Sequence, residues 1–160
     1  MSSTWSWVSL VTAIGCGLVA GVFFAFSGFV MAGLDRLPPG HGVAAMQSIN
    51  RTALRPPLMI AIFATAALCV GLGIWAVTAW GDRRAGLTLA GCVLYVVGAV
   101  GVTGAGNVPL NDKLDAVDPR SAGAAAAWSH YVGSWMAWNH VRGALCAAAA
   151  VLLTIALAKE

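Results

Sequence analysis

The sequence predicts an all-α protein, a four-transmembrane-helix bundle with a short amphipathic helix between spans one and two. Three observations carry that prediction. Apolar residues make up 59% of the 160 and charged residues 9%, against roughly 25% charged in an ordinary soluble domain, and the mean hydropathy is +0.81. Four apolar stretches each reach the length of about 20 residues that a helix needs to cross a bilayer. Two proline pairs, Pro38-Pro39 and Pro56-Pro57, bracket a more polar segment whose apolar residues recur at helical spacing. No linker rich in Ser, Pro or charge divides the chain, so residues 1–160 read as one integral membrane domain.

Span one covers approximately residues 5–34. It lacks the basic leader of a secretory signal and its apolar run is too long for one, so it reads as a retained membrane helix. Gly17, Gly21, Ala25 and Gly28 form a stripe of small residues that lets another helix approach closely. Ser27 stands among Phe23, Phe24, Phe26 and Phe29, and the default partner of such a hydroxyl is the carbonyl four residues earlier. Asp35-Arg36-Leu37-Pro38-Pro39-Gly40 ends the span. From about 42 to 55, Val43, Met46, Ile49, Ala53 and Leu54 recur with helical period while Gln47, Ser48, Arg51 and Arg55 fill the other face. This amphipathic helix is either an interfacial anchor or a lid over a pocket, with Asn50 among its polar positions.

Span two, approximately 58–80, offers only Thr65 and Thr78 and reads as scaffold, with Trp75 and Trp80 suited to an interfacial belt. Span three, approximately 85–106, is rich in glycine (Gly91, Gly98, Gly101, Gly104, Gly106), which again favours close helix contact. Span four covers approximately 132–158. An even number of spans puts both termini on one side. Arg83, Arg84 and Lys159 lie there, against Arg36, Arg51, Arg55, Lys113 and Arg120 in the two long connections, which leans those connections towards the cytoplasm.

Cys16, Cys69, Cys92 and Cys146 fall one in each span without a CxxC or Cys/His spacing, and read as small buried hydrophobes. No run of basic residues points to nucleic acid, and the net charge of +3 is unremarkable. The chemistry concentrates elsewhere. Asn107-Val-Pro-Leu-Asn111-Asp112 closes span three, and Trp135-Met-Ala-Trp138-Asn139-His140-Val-Arg142 opens span four. On a helical wheel Trp128, Tyr131, Trp135, Asn139, Arg142 and Cys146 share an arc of about 80°, while His140 lies about 100° from Asn139. A polar group in hydrocarbon needs a partner, and for Arg142 the choices are Asp112, a carbonyl or an anionic ligand. His130 and His140 are separated by about 15 Å of helical rise, which argues against a shared metal.

These motifs, with Phe23-Phe24-Ala25-Phe26-Ser27 and Met46-Gln47-Ser48-Ile49-Asn50, resemble the anthrone-oxygenase-like membrane proteins, a family long catalogued as a domain of unknown function. The resemblance implies a four-helix membrane fold and, as in some fungal and bacterial members, oxidation of an anthrone to an anthraquinone by dioxygen, with no metal and no cofactor. Such chemistry needs a base, donors for a developing oxyanion and an aromatic slot. The candidates are His140 as base, Asn139, Asn107 and Arg142 as donors, and Trp135 with Phe24 as the slot. Ser27, Asn50, Asn111, Asp112 and Tyr131 are further contacts to the substrate. The implied setting is a multi-pass protein of a bacterial inner membrane, with the lipid bilayer and a small lipophilic aromatic as partners, no nucleic acid, and a homo-oligomer left open by the small-residue stripe. The competing expectation is a non-catalytic protein that binds or passes a small lipophilic ligand.

Overall fold

The computed structural model describes residues 3–159, and every regular element among them is a helix. We number the helices α1 (Thr4–Leu34), α2 (Pro39–Ala53), α3 (Leu58–Thr78), α4 (Ala85–Asp115) and α5 (Ala124–Ala158). All but α2 are long and apolar enough to cross a membrane. They form an up-and-down ring in which α1 packs on α3 and α5, and α4 packs on α3 and α5. The central core draws Val19, Phe23, Leu72, Tyr95, Leu153 and all four cysteines from these helices.

Two helices extend beyond the spans read from sequence. α4 continues past residue 106 to Asp115, with Pro109 at the start of its last α-helical segment, Val108–Asp115, directly after the π-helical stretch that ends at Asn107. α5 starts at Ala124 rather than 132, its first turn being a run of alanines, the best helix formers. The amphipathic helix begins at Pro39, in the N-terminal position where proline is pre-organised, and ends at Ala53.

α1 and α4 have 31 residues and α5 has 35, whereas α3 has 21. Ten residues of helix amount to about 15 Å, so the three long helices project past α3 at the end carrying the long connections. α2 packs there against α5, the end of α4 and the end of α1, and a second core forms around Met31, Val43, Met46, Leu114, Trp128, Tyr131 and Trp135. Its clasp is specific. Gln47 Nε2 donates to the Leu114 and Val117 carbonyls, each at 2.9 Å, and Trp128 Nε1 donates to Asp35 Oδ1 at 3.0 Å. Gly42 lies so close to the Trp128 ring that a Cβ there would sit 2.8 Å from a ring carbon. The Arg51–Asp115 ion pair at 2.6 Å is more than half exposed and adds little.

At the opposite end Trp5 and Trp75 stack with centroids 5.8 Å apart, the position expected of interfacial aromatics. The turn into α4 is pinned by Asp82, which accepts from the side chain and the backbone N–H of Arg84. Those bonds hold the Asp82 carboxyl below the usual carboxylate range.

Candidate functional site

The polar residues meet where the two cores adjoin, and there the helices change winding. Phe26–Val30 of α1 and Val96–Asn107 of α4 are π-helical, a widened form that re-aims side chains and occurs frequently at functional sites. Ser27 lies in the first segment; Thr103 and Asn107 lie in the second. Facing both is the inward stripe of α5, where Trp128, Tyr131, Trp135, Asn139, Arg142 and Cys146 are all buried.

Arg142 is the cation at the centre. Its Nε donates to Asn139 Oδ1 at 2.9 Å and its Nη1 to Thr103 Oγ1 at 3.2 Å. The guanidinium lies over the Phe23 ring, 4.1 Å from its centroid, and 5.1 Å from that of Trp135, two favourable cation–π contacts. Asp112, a sequence candidate for its counter-ion, is exposed and makes no ion pair among the described residues. Arg142 is therefore a buried charge held by neutral oxygens and aromatic faces.

Asn139 is fully buried and joins this interior to the outside of the bundle. Its Nδ2 donates to the Phe23 carbonyl at 2.8 Å and to Ser27 Oγ at 2.7 Å. Beyond Ser27 lies a groove of about 440 Å³ between α1 and α5, on the outer side of the bundle, lined by Ala20, Gly21, Phe24, Ser27, Asn139, His140, Gly143, Ala144 and Ala147. Four of the sequence candidates, Phe24, Ser27, Asn139 and His140, thus share one groove. Phe24 is 75% exposed and forms its open wall.

The other candidates do not reach the groove. Asn107 is buried against α5, donating to the Trp135 carbonyl at 3.2 Å, and its Oδ1 has no hydrogen-bond partner among the described residues. Asn111 Oδ1 accepts from the Tyr131 hydroxyl at 2.9 Å and from Trp135 Nε1 at 3.0 Å, fixing both rings. Trp135 also packs against Phe26, with centroids 5.6 Å apart. Asn50 of α2 keeps its Nδ2 buried, again without a hydrogen bond among the described residues. Asn50, Asn107, Asn111, Tyr131 and Trp135 therefore lie outside the lining of this groove.

Sequence reasoning missed Thr103, the second oxygen on Arg142. Its signal was available, since it is one of the few polar residues of α4 and lies one turn before Asn107. It also missed Gly143, Ala144 and Ala147, whose small side chains leave the groove open. Among the described residues no three His, Cys, Asp or Glu side chains are placed to hold a metal ion.

The family model for anthrone oxygenase matches residues 56–152, which cover α3, α4 and most of α5. Asn107, Asn139, His140 and Arg142 fall inside that match, whereas Phe24, Ser27 and Asn50 precede it. No curated protein and no solved structure matches the chain.

Proposed function

Because the chain belongs to the anthrone oxygenase family, we propose that it is a membrane oxygenase acting on a lipophilic aromatic of the anthrone or hydroquinone type, with dioxygen as oxidant. The observation that carries this reading is the groove between α1 and α5, which sets His140 and a hydrogen-bonded polar wall beside an open, otherwise apolar surface. A substrate dissolved in the hydrocarbon would enter it sideways, without crossing water.

In this reading His140 removes a proton from the methylene that lies across the central ring from the ketone. The electron pair moves through the ring system onto the ketone oxygen and forms an enolate. The enolate carbon is electron-rich enough to combine with dioxygen, and the peroxide anion so formed takes the proton back from His140 to give a hydroperoxide. Loss of the remaining C–H proton with cleavage of the O–O bond releases water and leaves a carbonyl, so one anthrone and one dioxygen give one anthraquinone and one water. The protein contributes a base, a polar wall for the oxyanion and an apolar slot walled by Phe24. Such a protein would sit as a multi-pass protein in a bacterial inner membrane, with the bilayer as its source of substrate.

One observation favours a second reading. Among the described residues, no side chain is hydrogen-bonded to the His140 imidazole to orient it, as a poised base often requires. A non-catalytic protein that binds or passes a lipophilic ligand needs no such support. Turnover separates the two: His140→Ala or His140→Asn should abolish oxygen consumption while leaving ligand affinity and folding intact if His140 is the base. Persistence of full turnover in either variant removes His140 from that role.

A further inference from the structure

The hydrogen bonds behind the groove run in one direction. Arg142 Nε can only donate, so the Asn139 atom 2.9 Å from it is the amide oxygen. The Asn139 nitrogen then faces the Phe23 carbonyl and Ser27 Oγ, and spends one hydrogen on each. The reversed amide would set two donors against each other at Arg142, so only this orientation satisfies every group. Asn139 keeps no hydrogen for a ligand.

Ser27 must therefore accept from Asn139, which leaves its own proton to be placed. The usual acceptor, the carbonyl four residues earlier, is that of Phe23; it accepts from Asn139, and among the described residues Ser27 Oγ makes no bond to it. Ser27 lies in the π turn Phe26–Val30, a winding that re-aims side chains. Among the described residues the Ser27 hydroxyl donates to nothing, and it lines the same groove as His140. We infer that Ser27 is a catalytic residue whose O–H donates to the substrate oxygen as that oxygen becomes an enolate, strengthened by the buried Arg142 acting through the Asn139 amide.

The inference rests on the oxygenase reading and gives its oxyanion a named donor. The balance is simple. His140 takes the C–H proton, the electron pair ends on the ketone oxygen, and Ser27 shares its proton with that oxygen without losing it. A chain of hydrogen bonds polarises along its length, so one whose donors all point away from a cation makes the hydroxyl at its far end a better donor. Arg142, Asn139 and Thr103 act as positioning residues, the last by holding the guanidinium from its other side. This also gives a use to a buried charge that lacks a carboxylate among the described residues.

The test reads ionisation and turnover separately. Purified protein in detergent binds 1-naphthol, a flat lipophilic probe whose absorbance reports loss of its hydroxyl proton. Ser27→Ala should raise the ionisation midpoint of the bound probe by about one pH unit or more, because a hydrogen bond to the charged form favours it. Ser27→Thr should restore the original midpoint. Arg142→Gln should raise it too, with most of that effect absent when Ser27 is already Ala. With an anthrone as substrate, Ser27→Ala should lower kcat by about 100-fold with KM little changed. An unchanged midpoint in Ser27→Ala, or equal effects of Arg142→Gln in both backgrounds, overturns the proposal whether or not oxygen is consumed. Absence of turnover in the wild-type protein counts against the oxygenase reading alone, and the naphthol midpoint then decides the role of Ser27. Should Ser27→Ala not fold, Ser27→Cys, near in size with a weaker donor, carries the same expectation at smaller amplitude.

Discussion

Asn139 ties together three groups at the edge of an apolar interior: the Arg142 guanidinium, the Phe23 carbonyl and the Ser27 hydroxyl. A hydrogen bond to a charged group is worth about 1.5–3 kcal/mol, and an orphaned buried partner costs a similar amount. Asn139→Ala should therefore destabilise the bundle by about 2–4 kcal/mol, measured by the denaturant midpoint in mixed micelles. A change below about 0.5 kcal/mol would mean that the network is satisfied from elsewhere. Gly106 makes a different demand: a Cβ there would lie 2.5 Å from a carbon of the Trp138 ring, so Gly106→Ala forces α4 and α5 apart at the level of Asn107. A loss of about 1–3 kcal/mol is expected. At Gly104, two residues earlier, an added methyl would meet open space, and Gly104→Ala should leave the denaturant midpoint near that of the wild type.

At the scale of the element, α2 is held by buried contacts rather than by charge. Val43, Met46 and Gln47 are buried, and Gly42 seats the Trp128 ring. Gly42→Leu should loosen the whole helix, seen as faster amide exchange over residues 39–53 with α3 and α5 unaffected, whereas Arg51→Ala should leave exchange unchanged because its ion pair is exposed. Equal exchange in both variants would place the clasp elsewhere. The existence and order of these helices were legible from apolar length and proline punctuation. Their ends were less so: Pro109 reads as a breaker until its place in a first turn is known, and the span of α5 was cut short because Ala124–Ala127 is helical without being strongly apolar. The π segments, Phe26–Val30 and Val96–Asn107, left no readable trace in the apolar pattern.

For the whole molecule, the sequence exposed the chemistry better than its arrangement. The stripe from Trp128 to Cys146 could be read from helical period alone, because one helix carries all of it. Which residues share a cavity depends on contacts between helices, so the sequence placed Asn107, Asn111, Tyr131 and Trp135 in one site with Ser27 and Phe24, and only the folded chain sets the last two on the groove and the others outside its lining. The groove itself is made by what is missing: Gly21, Gly143, Ala144 and Ala147 leave space that larger side chains would fill. A Cβ at Gly21 meets nothing within 4 Å, so Gly21→Leu can occupy the groove without straining the bundle. It should weaken binding of an anthrone or of 1-naphthol by about tenfold or more, a loss of at least roughly 1.4 kcal/mol, with the thermal midpoint unchanged. Undiminished binding would move the ligand site away from the face between α1 and α5.

An oxygenase within that groove depends on His140 as its base. The most direct measurement is oxygen uptake by the purified protein in detergent, with an anthrone as substrate, chelator present, and His140→Ala alongside. The expected result is uptake well above the spontaneous rate in the wild type and uptake at the spontaneous rate in the variant, with the anthrone still bound by both. Wild-type uptake no faster than the spontaneous rate, with the anthrone bound, would contradict the oxygenase and make the groove a recognition site for a lipophilic ligand.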